Sequence, residues 1–139
     1  MKKKIKPEEQ SVTIAIPLHI YPVTVVASFN TTHKQVRDVL IKEQGFNKKD
    51  FKDNMYKLRP LTGGRWAFYR EHLTGLIRMH TIPITSRDYG MLAHEVCHIV
   101  SKVMEVMGMS LQMGVSDEAY AYLTSYLTEE IYTKLIKYY

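Results

Sequence analysis

Two imidazoles and two carboxylates stand at spacings that could hold and use a metal ion: His94, Glu95, His98 and Glu118. His94-Glu95-Val96-Cys97-His98 places the histidines four residues apart. On a helix such residues share one face, with the two rings roughly 6 Å apart along the axis. Both can then converge on one zinc ion. Glu95 falls about 100° around the helix from His94, beside the metal and free to take a proton from a zinc-bound water. A catalytic zinc uses three protein ligands and keeps one position open, and Glu118 would supply the third. Zinc brings the pKa of its bound water to about 7, within reach of a neighbouring carboxylate at neutral pH. The rival reading is a buried helix with two satisfied histidines. Glu95 and Glu118 together favour the metal.

The elements around the motif predict that geometry. Ser86 can N-cap a helix, Asp88 lies in its first turn, and Gly108 can end it. Leu92, Val96, Ile99, Val100, Val103 and Met107 give this helix a broad apolar surface at helical spacing. Ahead of it, Arg65 to Arg70 and Leu76 to Ile82 read as two strands of a hairpin turning through residues 71–75. After it, a helix runs from about Ser116, with Leu123, Leu127, Ile131 and Leu135 as its core stripe.

The remaining chain is less specific. Residues 1–10 are charged and read as a flexible basic arm ahead of one domain spanning 11–139. Ser11 to Ser28 favours strand, interrupted or edge-type because Pro17 and Pro22 cannot donate to a ladder. Thr32-His33-Lys34-Gln35 fits a capping box, and Gly45 stops the helix it opens. Residues 47–64 read as an irregular connection. The expected class is α+β, a small twisted sheet of about three strands packed on helices.

Composition narrows the function classes. Hydrophobic residues make up 45% and charged ones 24% of the 139 residues, ordinary values for a globular chain. No apolar stretch approaches the ~20 residues of a membrane span, and the charged start lacks the apolar core of a secretory signal. A cytoplasmic location is the expectation, and the single Cys97 agrees with a reducing compartment. The net charge of +5 is concentrated at the start, with four lysines in the first six residues. The other basic residues are scattered rather than banded with aromatics, which argues against nucleic acid as the partner.

At this point the sequence resembles a zincin metallopeptidase of the glutamate type, a gluzincin, in a very small form. The resemblance covers about half the chain, from the hairpin through the last helix. The run 75–80, Gly-Leu-Ile-Arg-Met-His, sits where such enzymes have the strand bordering the cleft. His94 to His98 matches the HExxH helix, and Ser116 to Leu123 resembles the segment with the third ligand, with nineteen residues between His98 and Glu118. A looser resemblance is to small zincin-like proteins of bacteriophages and prophages, which implies an origin in phage and a host cytoplasm as the setting.

The resemblance implies zinc held by His94, His98 and Glu118, with Glu95 as general base and proton shuttle, acting on a peptide or protein substrate added as a strand to the 75–82 strand. Asp117 remains an alternative third ligand, because helical geometry does not separate adjacent residues at a helix start. An oxyanion donor is also needed. Tyr122 and Tyr126, one and two turns beyond Glu118, and His80 on the strand 75–82 are the candidates. Larger gluzincins have a further subdomain forming the far wall of the cleft. Here the tyrosine-bearing helix, the 47–64 connection or a second copy of the chain, as a homodimer, would have to supply it.

Overall fold

The computed structural model describes residues 4–51 and 63–139. Residues Val12–Leu18 (β1) and Val23–Phe29 (β2) form an antiparallel pair. The Val- and Ile-rich stretch from Ser11 to Ser28 is therefore two strands with a turn, and the expectation of about three strands becomes four. Pro17 lies on β1, at the edge of the sheet, where its missing N–H costs no ladder bond. The helix His33–Gln44 (α1) begins at Thr32 with both hydrogen bonds of the expected capping box. It ends at Gly45, whose φ of +74° suits a residue without Cβ.

Gly64–Tyr69 (β3) and Thr74–Met79 (β4) make the expected hairpin. β4 also pairs in parallel with β2, giving the sheet order β1-β2-β4-β3. Residues 48–51 form a 3₁₀ turn, and most of the remaining 47–64 connection lies outside the described residues. Near the start, Gln10 donates to the Tyr138 carbonyl at 3.1 Å and the Asn30 amide donates to the Glu8 carbonyl at 3.2 Å.

Ser86–Val106 (α2) and Asp117–Leu135 (α3) complete the fold. The N-cap of α2 is Thr85, one residue before the expected Ser86. Its hydroxyl accepts from the Asp88 N–H while the Asp88 carboxylate accepts from the Thr85 N–H. Burial works to raise the Asp88 carboxyl, but the N–H groups of Thr85 and Ile84 and the neighbouring His80 hold it below its ordinary value. Thr85→Ala should therefore cost about 1 kcal/mol of stability, read as a lower midpoint in urea unfolding. An unchanged midpoint would mean that this cap contributes nothing.

Two apolar layers sandwich the sheet. Alternation along the strands turns Ile16, Val25, Ala27, Ile77 and Met79 toward Val96, Ile99, Val103, Leu127 and Ile131 of α2 and α3. Val26 and Leu76 face the other way, onto Val36 and Leu40 of α1. The stripe Leu123, Leu127, Ile131 and Leu135 is buried as its spacing predicts. Among the described residues no helix is long and apolar enough to cross a membrane.

Candidate functional site

Helix α2 carries the whole motif in regular helix, and the fold turns it toward the open end of β3. His98 Nε2 lies 3.0 Å from His94 Nε2. Two nitrogens bound to one tetrahedral zinc at about 2.0–2.1 Å would stand roughly 3.3 Å apart, so the pair already has close to the spacing of two ligands on one ion. Without metal, one ring N–H donates to the other. The Trp66 indole stacks on the His98 ring at 5.2 Å between centroids, tilted by 14°, and fixes one face of that imidazole.

Glu95 points into the fold beside them and is only 7% exposed. Burial raises its carboxyl above the ordinary carboxylate range, an effect reduced by His94 and His98. A carboxyl shifted in that direction is a better proton acceptor near neutral pH than an exposed one. Gly64 makes the fit, since a Cβ there would stand 2.9 Å from both Cγ and Oε1 of Glu95. His94, Glu95 and His98, with Gly64, Arg65 and Trp66, line an open cleft of about 360 Å³.

The strand beside this cleft is β3, and that corrects the expectation for residues 75–82. β4 is an inner strand, paired with β2 on one side and β3 on the other, so it has no edge for a substrate. β3 does have one among the described residues. The His80 N–H donates to the Gly63 carbonyl, while the Met79 carbonyl accepts from Asn30 on the β2 side. Because paired residues alternate in an antiparallel ladder, Gly64, Trp66 and Phe68 turn their backbone N–H and C=O groups outward. The same residues face α2, where Gly64 meets Glu95 and Trp66 meets His98. The sequence carries a signal for this: Gly63-Gly64 opens a strand with the chain's one Trp, twenty-eight residues before His94.

The other expected site residues lie elsewhere. Tyr89 touches Tyr132 of α3, and nine residues of helix bring His98 about 180° around from Tyr89. Helix α3 therefore packs on the side of α2 turned away from the histidine pair. Glu118 is exposed in the first turn of α3, about 140° around from the inward Leu123. Among the described residues no three His, Cys, Asp or Glu side chains stand close enough to hold a metal. The structure thus gathers His94, His98 and Glu95 and does not bring Glu118 to them.

Tyr122 is 72% exposed, and the Tyr126 hydroxyl donates to the Pro17 carbonyl at 3.4 Å. Both line a separate apolar groove between α3 and the β1–β2 turn, with Leu18 and Ile20. His80 Nδ1 lies 3.3 Å from the Gly63 carbonyl and its Nε2 3.6 Å from Asp88 Oδ1. It ties the start of β3 to the first turn of α2, and no cleft-lining position falls to it. Cys97 is exposed and one residue off the axis of the pair. Compared with protein families, curated proteins and solved structures, the chain matches none.

Proposed function

We propose that the protein is a minimal zinc-dependent peptidase of zincin-like build, cleaving a peptide laid along the open edge of β3. The observation that carries this reading is the joint placement of His94, His98 and Glu95 against a strand edge that is unpaired among the described residues. Outward N–H and C=O groups of Gly64, Trp66 and Phe68 would hold an extended peptide by main-chain hydrogen bonds and bring its carbonyls past the motif. His94 and His98 would hold zinc, with Glu118 completing the set if the first turn of α3 re-seats. The ion would supply Lewis-acid activation of water and of the scissile carbonyl. Glu95 takes the proton from the attacking water and returns it to the leaving nitrogen. No hydroxyl or imidazole among the expected donors stands at this cleft, so the backbone, with the ion when bound, would supply the oxyanion stabilisation.

Zinc per chain, by elemental mass spectrometry, tests the reading. One zinc is expected in the parent, none in His94→Ala, and a dissociation constant for zinc weakened about tenfold or more in Glu118→Ala. A parent without zinc after reconstitution would sink the proposal. Unchanged affinity in Glu118→Ala would remove Glu118 from the ligand set. A second reading, a zinc-bound but inert scaffold, is favoured by the exposed position of Glu118. It requires failure to cleave any member of a broad peptide library with zinc bound.

A further inference from the structure

On the opposite face of the sheet a second charged group stands without a use. Arg78 of β4 is 3% exposed. Its Nη2 donates to the Thr31 carbonyl at 3.0 Å, but Nε and Nη1 are buried with no hydrogen-bond partner among the described residues. Among the described residues it has no ion-pair partner either. A guanidinium does not lose its proton to escape this position, and an uncompensated buried charge is among the costliest defects a fold can carry.

Among the described residues the Tyr69 phenol acts on Arg78 to favour its charge and Arg65 acts against it, and no carboxylate pairs with it. Arg65 is the register partner of Arg78 on β3 and is exposed. Thr31, whose carbonyl Arg78 holds, directly precedes the N-cap of α1. The capping box occupies the Thr32 and Gln35 amides of that twelve-residue helix, which leaves those of His33 and Lys34 without a partner among the described residues, and the positive end of its dipole points here. Exposed His33 lies close enough that Arg78, after burial, helps to lower its pKa. Ser28, register partner of Arg78 on β2, and Thr31 add paired hydroxyls.

We propose that Arg78 is the floor, and Arg65 with the amino end of α1 the rim, of a binding site for a small phosphate-type oxyanion. Several donors converging on concentrated positive charge match the several acceptor oxygens of a phosphate better than the two of a carboxylate. The floor of the site lies across the sheet from His94 and His98, while Arg65, on the edge strand, also borders their cleft.

Thermal unfolding of metal-free protein tests this, with phosphate against chloride at matched ionic strength and phosphoserine as a third arm. Phosphate at about a hundredfold its dissociation constant should raise Tm by on the order of 8 °C. Arg78→Met should fold without phosphate and lose the response. Should that variant not fold, Arg65→Gln provides the second reading, with phosphate affinity by calorimetry weakened about tenfold. A response to phosphate alone identifies a free ion, and a response to phosphoserine as well identifies a phosphate monoester; both support the site. No phosphate-specific shift in the parent, or a full response in Arg78→Met, would overturn it.

Discussion

Glu95→Gln should leave zinc bound and lower peptide hydrolysis by about 10²–10⁴-fold, the range a positioned general base contributes. The amide keeps the shape of the side chain against Gly64 but cannot accept the proton of the attacking water. His94 and His98 are untouched, so zinc content is the control that separates loss of the base from loss of the site. A variant that cleaves as fast as the parent would remove Glu95 from the chemistry.

The same substitution carries a pH signature in metal-free protein. Burial raises the Glu95 carboxyl in the folded chain above its unfolded value. A raised carboxyl binds its proton more tightly when folded. Its favourable contribution is therefore present at acid pH and is lost as pH rises through the folded value. At neutral pH the parent must hold a buried carboxylate, whereas the variant holds a neutral amide. Metal-free Glu95→Gln should thus unfold at a higher temperature than the parent at pH 7, with the gap closing below the ordinary carboxylate range. A gap that persisted unchanged at acid pH would point to packing instead of charge.

How much of this is legible in the sequence follows from the kind of signal each part leaves. Local chemistry reads well. The capping box at Thr32, the stop at Gly45, the hairpin and the stripe from Leu123 to Leu135 all depend on neighbours within a few residues. The i, i+4 histidine pair is equally local, and the structure places its nitrogens facing one another. Sheet order is not local. Nothing within 75–82 says that β2 will pair beside it, and so an inner strand reads, in isolation, like the border of the cleft. The wrap of α3 is non-local too: Leu123, Leu127 and Ile131 fix which face is inward, but which side of α2 receives that face depends on the sheet beneath both. This is why Tyr122, Tyr126 and Glu118, which share a helix, lie together away from the histidines. Arg78 leaves no sequence signal, because only the assembled sheet shows it without a partner.

Gly64→Val should damage stability and catalysis together, and the pairing of the two effects is what identifies the position. The backbone of Gly64 needs no left-handed conformation, so the cost is purely steric. A Cβ there would come within 2.9 Å of Glu95 Cγ and Oε1 and within 3.1 Å of Met79 Sδ. The Met79 thioether is flexible enough to yield. Glu95 can yield only by swinging its carboxylate out of the place from which it reaches the attacking water. Valine adds two further methyl groups to a closed contact, which should cost about 1–3 kcal/mol by overpacking. Alanine should cost less, since one side chain can rotate away. Yet a displacement of about 1 Å in a catalytic group is worth on the order of 10²-fold in rate, so Gly64→Ala should already lose most activity while keeping zinc. Gly75 provides the control on the same face. A Cβ at that position meets Ile99 Cδ1 at 3.1 Å and no site residue, so Gly75→Ala should lower the urea midpoint without changing the rate of the folded fraction. If Gly64→Ala and Gly75→Ala cannot be told apart in rate, the close approach of β3 to Glu95 plays no part in catalysis.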